Sequence, residues 1–435
     1  MTHSFSDSIV ACSSPPGTGA ISIVRVSGKN LTLIVKKLGV KKIDDKTSIV
    51  EQLQIKKDLN EKCVLTFFKS PNSFTGEDVL EINCHGNPLI VEMIIEKLIK
   101  LGCRRAEPGE FSMRSFLNNK ISFLEAEAID DLINAANQNQ LLAASKSLSG
   151  KFEEKINETI EDLKKLRIYV ESNIDFSDEQ ILDDFTGFKK DLSTFVDNFK
   201  TFVLDTNSSK YLIEGVKVGI TGPPNVGKST LMNILSKEKA SIVSEIHGTT
   251  RDIILRSCKI RDYEFSLYDT AGIRDQSDDP IEREGIEMAK SLLDTCDVII
   301  EIVDPTNEDF FVNYKNPVIR VRNKSDLCNT SSKNRIDASF NNKKGISEIK
   351  DALFKALNLP LRISNISFSA RSRHAELMNL CLNELESAAA LSHENSLELI
   401  AENLRRASDF IGEIKSPYSS DELLGEIFSN FCIGK

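Results

Sequence analysis

Along the 435-residue chain, the spacing of apolar positions changes character from one region to the next. In the first hundred or so residues, apolar runs at Ala20–Val26, Val64–Phe68 and Val79–Asn83 are bounded by Gly, Pro, Asn or Ser. Strands separated by turns have this texture, and an α+β domain is expected over 1–118. From about Phe116, apolar residues recur every three or four positions, at Leu124, Ala128 and Leu132, then at Phe152, Ile156, Leu163, Leu166 and Val170. Long helices follow from that period. A further set, Leu192, Phe195, Val196, Phe199 and Val203, runs into a polar stretch, Asp205–Lys210, which reads as a linker. Strand-like alternation returns at Val216, Val218 and Ile220. Helical spacing resumes beyond Pro360, at Leu377, Leu380, Leu385, Leu391, Leu399, Leu404 and Ile411. Helices thus flank a strand-bearing centre. Compact domains often have neighbouring termini and tolerate insertion. The expected organisation is one all-α helical domain, 119–210 with 363–435, interrupted by an α/β domain at 211–362.

The centre opens with GVKVGITGPPNVGKSTLMN, residues 215–233. A strand empties into a loop in which Gly222 and Gly227 bracket four residues, and Lys228-Ser229 begin a helix, the pattern of a phosphate-binding loop. Glycines let successive N–H groups turn to one anion, and the helix start adds partial positive charge. Lys228 reaches the outer phosphates and Ser229 ligates Mg2+. Asn225, Val226, Gly227 and Thr230 belong to the same cradle. A plain glycine-rich turn is the alternative, and three further signatures in the order a guanine-nucleotide domain requires speak against it. His247-Gly248-Thr249-Thr250-Arg251-Asp252 supplies threonines to close over the γ-phosphate, Thr250 towards magnesium. Asp269-Thr270-Ala271-Gly272 follows a strand, its aspartate suited to a magnesium-bound water and its glycine N–H to the γ-phosphate. Asn323-Lys324-Ser325-Asp326 follows the strand Val318–Val321. Its Asp326 carboxylate accepts two donors that guanine has and adenine lacks, so GTP is expected rather than ATP. The fold class is that of an inserted P-loop GTPase (G) domain. The residue after Gly272 is Ile273, which cannot orient a water as the glutamine of many small GTPases does; the acidic run Asp275–Glu284 offers replacements.

FCIGK at the end, GEDVLE, FLNNK, LRIYVESNIDF and GTTRD complete a pattern that closely resembles the tRNA-modification GTPase family MnmE, also called TrmE, along essentially the whole chain. The resemblance implies an N-terminal domain that binds folate and makes a homodimer, a helical domain from the middle and end of the chain, and an inserted G domain. It implies tRNA as substrate and the flavoprotein MnmG as partner in a heterotetramer. Together they add a (carboxymethyl)aminomethyl group to C5 of the wobble uridine of certain tRNAs, with 5,10-methylene- or 5-formyl-tetrahydrofolate as one-carbon donor. It further implies that Glu282, in IEREG, orients the attacking water. Asn225 with Ser244, Ile246 and Thr249, in a loop that also carries Glu245, His247 and Gly248, would hold K+. Arg25, Glu81, Lys120 and Lys435 would bind the folate, and Cys432 would face it as a functional thiol; a small residue packed at a helix end remains the other reading of Cys432. The family's last guanine element reads Ser-Ala, and here Asp337-Ala338 stands in its place, with Ser369-Ala370 the poorer candidate.

Composition narrows the picture. Lys and Arg total 55 against 65 Asp and Glu, a net charge of −10, so the surface as a whole repels nucleic acid and RNA contact needs a local basic patch. Arg104-Arg105 and Arg405-Arg406 are the candidates. Nine cysteines without a CxxC pair argue against a disulfide scaffold or zinc ribbon and suit a reducing compartment. No run of about eighteen apolar residues occurs, and the start, MTHSFSDSIV, resembles neither a signal peptide nor an arginine-rich presequence. Cytoplasm, with no membrane contact, is expected. The final four residues have CaaX spacing, but Gly434 and Lys435 fit no prenylation preference. His85, in NCHGNP, reads as a structural residue, and Gly17-Thr18-Gly19 as a turn. The rival class is a non-catalytic ribosome-assembly or translation GTPase switch, disfavoured because no GxxG-type RNA module follows the G domain.

Overall fold

The computed structural model describes residues 7–29, 31–40, 43–175, 185–236, 254–269, 291–328, 334–360, 367–391, 396–415 and the single positions 428, 431 and 434. The chain forms two compact units, one of residues 1–134 with 411–435 and one of residues 135–410.

The first unit is α+β. Its elements are β1 (Ser8–Cys12), β2 (Ile21–Gly28), α1 (Leu31–Lys37), β3 (Thr47–Lys56), β4 (Leu59–Phe68), β5 (Asp78–His85), α2 (Pro88–Lys100), β6 (Cys103–Arg105), α3 (Glu110–Leu117) and α4 (Phe123–Asn134). The sheet order is β3-β4-β5-β2-β1-β6, antiparallel except for the β1–β6 pair. Alternation decides which face is inward: Val24, Val26, Leu80, Ile82 and Leu65 lie against Ile94, Ile95 and Leu98 of α2. That helix starts where Asn87 accepts a hydrogen bond from Leu89 N at 2.9 Å and Pro88 occupies the first turn. His85 Nδ1 lies 2.6 Å from Glu61 Oε1. A charged cluster is enclosed beside the sheet. Arg114, 1% exposed, donates to Glu110 at 2.9 Å and Glu77 at 3.0 Å, and Arg104 grips Glu110 through both terminal nitrogens at 2.8 and 2.6 Å.

The second unit joins helices to a nucleotide-type sheet. It contains α5 (Gln138–Leu148), α6 (Lys151–Asp175), α7 (Phe185–Glu214), β7 (Val216–Thr221), α8 (Lys228–Ser236), β8 (Ile254–Ile260), β9 (Tyr263–Asp269), β10 (Val298–Val303), β11 (Val318–Arg322), β12 (Ile336–Asp337), α9 (Ile346–Ala356), α10 (Ser372–Ala390) and α11 (Leu397–Lys415), the last turn of α11 being assigned to the first unit. Strand order is β12-β11-β10-β7-β9-β8, parallel except for β8 against β9. β7 is therefore central and fully apolar on its inward positions, with Val216, Val218 and Ile220 all at 0% exposure.

One expectation fails here: Asp205–Lys210 is not a linker but the interior of α7. Its hydroxyls are satisfied within the structure, Thr206 Oγ1 donating to Phe202 O at 2.8 Å, Ser208 Oγ to Leu204 O at 2.9 Å, and Ser209 Oγ to Phe368 O. Polar composition alone did not break the helix, because these side chains bond back to carbonyls one turn earlier or to a neighbouring segment. The β10–β11 crossover, residues 304–317, carries no helix. Fully buried Glu301 on β10 meets Arg320 of β11 at 3.4 Å, an ion pair without a formed hydrogen bond, and Arg320 lies 4.5 Å from the Phe311 ring of that crossover. Among the described residues no helix is long and apolar enough to cross a membrane.

Burial alone would raise the Glu110 carboxyl; hydrogen bonds from Arg104, Glu107 N and Arg114 outweigh it and hold the group below its usual 4.5. Its stabilising contribution is complete above pH 4.5 and is lost as pH falls through the lower folded-state value. Arg114→Met is expected to cost about 3 kcal/mol, because it leaves buried carboxylates undercompensated. Urea unfolding from pH 7 to pH 3 should show the lowered midpoint and a flattened acid limb.

Candidate functional site

The parallel strands β7, β9, β10 and β11 deliver their carboxyl ends to one edge of the sheet, where ligands bind in open α/β folds. From β7 the chain enters the phosphate loop. Gly222 has φ +140°, and an added Cβ would run into Ile302 O of β10. Gly227 has φ +103°, and a Cβ there would stand 2.5 Å from Asn323 Nδ2. Both positions demand glycine, by conformation and by close approach. Between them Asn225 adopts φ +62°, a left-handed setting that asparagine tolerates, and Val226 is sealed at 0% exposure. Lys228, first residue of α8, arches back over the loop and donates to Gly222 O at 2.7 Å and Pro223 O at 2.9 Å. Burial lowers its pKa, partly offset by Asp269. An anionic ligand at that place would offset the burial further. Ser229 Oγ donates to Asp269 Oδ2 at 3.3 Å, so a hydroxyl and a carboxylate meet at the start of α8, hard oxygen donors of the kind Mg2+ takes. Thr230 is exposed on the first turn of α8.

The base side is built on β11. Asn323, 5% exposed, donates from Nδ2 to Val226 O at 2.8 Å, accepts from Phe340 N at 3.0 Å, and donates its own N–H to Val303 O at 2.9 Å. Lys324 has φ +58° and its Nζ lies 2.7 Å from Asp304 Oδ2. Asp326 is exposed in the tight turn Ser325–Leu327. That turn is held by Ser325 N donating to Ala338 O at 2.9 Å, while Ala338 N donates to Arg322 O at 2.8 Å. Ala338, fully buried, therefore sits beside the Asn323–Asp326 loop. Ser369 is tied instead to Ser147, whose Oγ accepts from Ser369 N at 2.8 Å.

The structure thus brings together Asn225, Val226, Gly227, Lys228, Ser229, Thr230 and Asp269 on the phosphate side, with Asn323, Lys324, Asp326 and Ala338 on the base side. Ser244, Glu245, Ile246, His247, Gly248, Thr249, Thr250, Thr270, Ala271, Gly272, Glu282, Cys432 and Lys435 lie outside the described residues. Sequence reasoning missed Asp304. Burial would raise its carboxyl, but hydrogen bonds from Lys324, Thr306 and Asn307 hold it down to about 2. An aspartate directly after an apolar strand was the available signal.

In the first unit, Arg25 of β2 grips Glu81 of β5 through Nε at 3.0 Å and Nη2 at 2.6 Å, the two residues being direct cross-strand partners. Arg25 Nη1 and Ser13 Oγ also donate to Gly434 O, at 3.2 and 2.9 Å, which docks the end of the chain onto the sheet. A cavity of about 850 Å³ lined by Cys12, Ser13, Pro15, Val91, Ile95 and Arg105 shares Ser13 with that contact. Lys120 is exposed beside Gly76, and among the described residues no hydrogen bond links its side chain to Arg25 or Glu81. The four candidate RNA-contacting arginines all face carboxylates: Arg104 with Glu110, Arg105 with Glu92, Arg405 with Glu402 and Asp409, and Arg406 with Glu402.

The family model of the MnmE helical domain matches residues 123–432, and that of the GTP-binding protein TrmE N-terminus matches residues 8–120. Over 450 aligned positions, and 99% of both chains, the sequence is 37% identical to a tRNA modification GTPase MnmE of Francisella philomiragia. It is 36% identical, with the same coverage, to one of Nitrosomonas eutropha. Among solved structures, a point variant of Aquifex aeolicus Era bound to GDP.AlF4− is 26% identical and covers 41% of this chain and 68% of its own, with a TM-score of 0.27, too little overlap to bear on the site.

Gly222→Ala is expected to weaken binding of a fluorescent GDP analogue by about 100-fold, since it combines a strained φ with a backbone clash. Gly150→Ala, with φ +86° but open space around it, serves as the control and should bind as wild type does.

Proposed function

Because the chain belongs to the MnmE family of tRNA modification GTPases, and is accordingly a GTP hydrolase acting in tRNA modification, we propose that it works with the flavoprotein MnmG to elaborate C5 of the wobble uridine of certain tRNAs. The observation that supports the GTP-binding part of this reading most directly is the convergence of Lys228, Ser229, Asp269 and the Asn323–Asp326 loop at one sheet edge. In this reading GTP lies with its phosphates in the 222–229 loop and its base at Asp326. Lys228 exchanges the Gly222 and Pro223 carbonyls for phosphate oxygens, a swap favoured because its ammonium is buried. Ser229, Asp269 and Thr250 would hold Mg2+ through their oxygen atoms. Bound magnesium neutralises charge on the phosphates. Glu282 orients the attacking water, and Asn225 with Ser244, Ile246 and Thr249 holds K+. That cation supplies the positive charge that other GTPases take from an arginine.

The tetrahydrofolate donor is proposed to lie in the first unit, at Arg25, Glu81, Lys120 and Lys435, with Cys432 facing it. Support comes from the Arg25–Glu81 pair and the docking of Gly434 beside the cavity at Cys12 and Ser13. In this reading the carboxylate pairs with the donor edge of the ring and the cations suit the charged tail. The division at 118, 210 and 362, the homodimer, the heterotetramer with MnmG and a cytoplasmic site of action belong to the same reading.

Mass-spectrometric nucleoside profiles of tRNA from a deletion strain should lack the modified wobble uridine. Wild type should restore it and Asp269→Asn should not; an unchanged profile on deletion overturns the substrate. In turnover assays, GTP should be hydrolysed at least 10-fold faster in KCl than in NaCl, and ATP should not compete. Equal rates in the two salts remove Asn225 from a potassium site.

A further inference from the structure

The base loop carries a cation whose charge is already spent. Lys324 Nζ faces Asp304 Oδ2 at 2.7 Å, while the side chain as a whole stays 38% exposed. Asp304 is itself anchored: Oδ1 accepts from Thr306 N at 3.1 Å, Thr306 Oγ1 at 2.6 Å and Asn307 Nδ2 at 3.1 Å. One carboxylate oxygen is thus committed to the turn after β10 and the other to the lysine. The neighbouring cation does not compete, because Arg322 donates to Asp337 at 2.8 Å and Glu308 at 2.7 Å. The lysine backbone is fixed from the other side, since Asn323 is pinned to Val226 O and Phe340 N.

We propose that Asp304 is a positioning residue for guanine, holding Lys324 by its ammonium so that the methylene chain stands as a preformed wall of the base pocket. The reasoning is entropic. A lysine side chain has more rotamer freedom than almost any other, and a wall made of one must be ordered before a planar base can lie against it. Asp304 orders it in the free protein, so the base meets a surface already in place. The effect falls on GDP and GTP alike, because both present the same base, and spares the chemistry at the far end of the nucleotide. This inference rests on the guanine assignment of the Asn323–Asp326 loop.

The test is a double-mutant cycle on the full-length chain, read by titration with a fluorescent GDP analogue and by steady-state GTP hydrolysis. Asp304→Asn keeps the acceptor towards Thr306 and Asn307 and removes the charge facing Lys324. It is expected to weaken GDP binding and raise KM about 10-fold while kcat stays within about twofold. In a Lys324→Met background, which keeps an unbranched side chain but has no ammonium to hold, the same change should cost less than about twofold. An equal loss in both backgrounds, or none in either, overturns the proposal: Asp304 would then act on the turn alone. Wild type that binds an ATP analogue as tightly as GDP would remove the guanine assignment instead, leaving the cycle to report on whichever base binds.

Discussion

One carboxamide joins the two halves of the nucleotide site. The phosphate loop leaves β7 and the base loop leaves β11, and β10 lies between them, so sheet hydrogen bonding alone does not set their separation. Asn323 sets it, spanning from Val226 O to Phe340 N while its own N–H is tied to Val303. Each such bond contributes on the order of 1 kcal/mol, but stripping a buried partner costs about 1–3 kcal/mol at every group left unmatched. Gly227 follows from the same constraint, because any side chain there would occupy the place of the amide. Loop, base turn and the 338–340 segment are consequently one piece.

The two units manage charge differently. In the first, Arg114, Glu110 and Glu77 are enclosed, and their arrangement fixes how α3 meets the sheet. The Arg25–Glu81 pair is 16% and 21% exposed and sits at a surface that a ligand or the end of the chain can share. In the second unit the charged groups nearest the nucleotide edge are paired in advance: Lys324 with Asp304, Arg322 with Asp337. Among the described residues Lys228 donates to carbonyl oxygens alone, those of Gly222 and Pro223.

Legibility followed the range of the interactions. The strands that end at the 222–227 loop, at Asp269 and at the Asn323–Asp326 loop were legible because strand alternation, glycine spacing and a terminal polar residue are local signals. The apolar sets of α4, α6, α7 and α10 were readable for the same reason. β3 was not: Ile49, Leu53 and Ile55 do face inward at alternate positions, but Glu51 takes an inward place and Val50 an outward one, which blurs the period in the sequence. Asp205–Lys210 misled because hydroxyl-rich composition resembles a break, whereas the partners that keep it helical are carbonyls, which a sequence does not display. Asp304 has its meaning only through Lys324, twenty positions away, and Gly434 only through Ser13 and Arg25 at the other end of the chain. The four arginines offered as RNA contacts each have a carboxylate partner, Glu110 for Arg104 and Glu92 for Arg105 on other elements, and Glu402 for Arg405 and Arg406 within α11.

The passage from α7 to β7 has a mechanical side. Only Gly215 separates the 30-residue helix from the strand that ends in the phosphate loop. At 1.5 Å per residue the helix is roughly 45 Å long, so a pivot of about five degrees at its foot sweeps the far end through about 4 Å. The foot is braced by Asp297, which takes Lys217 N at 2.8 Å and Lys210 Nζ at 3.4 Å, and by Glu214, which accepts from Ser372 N at 2.7 Å. Those contacts stiffen the pivot without covalently closing it. Whatever angle those contacts set at Gly215 is therefore carried, magnified by the length of the helix, to its far end.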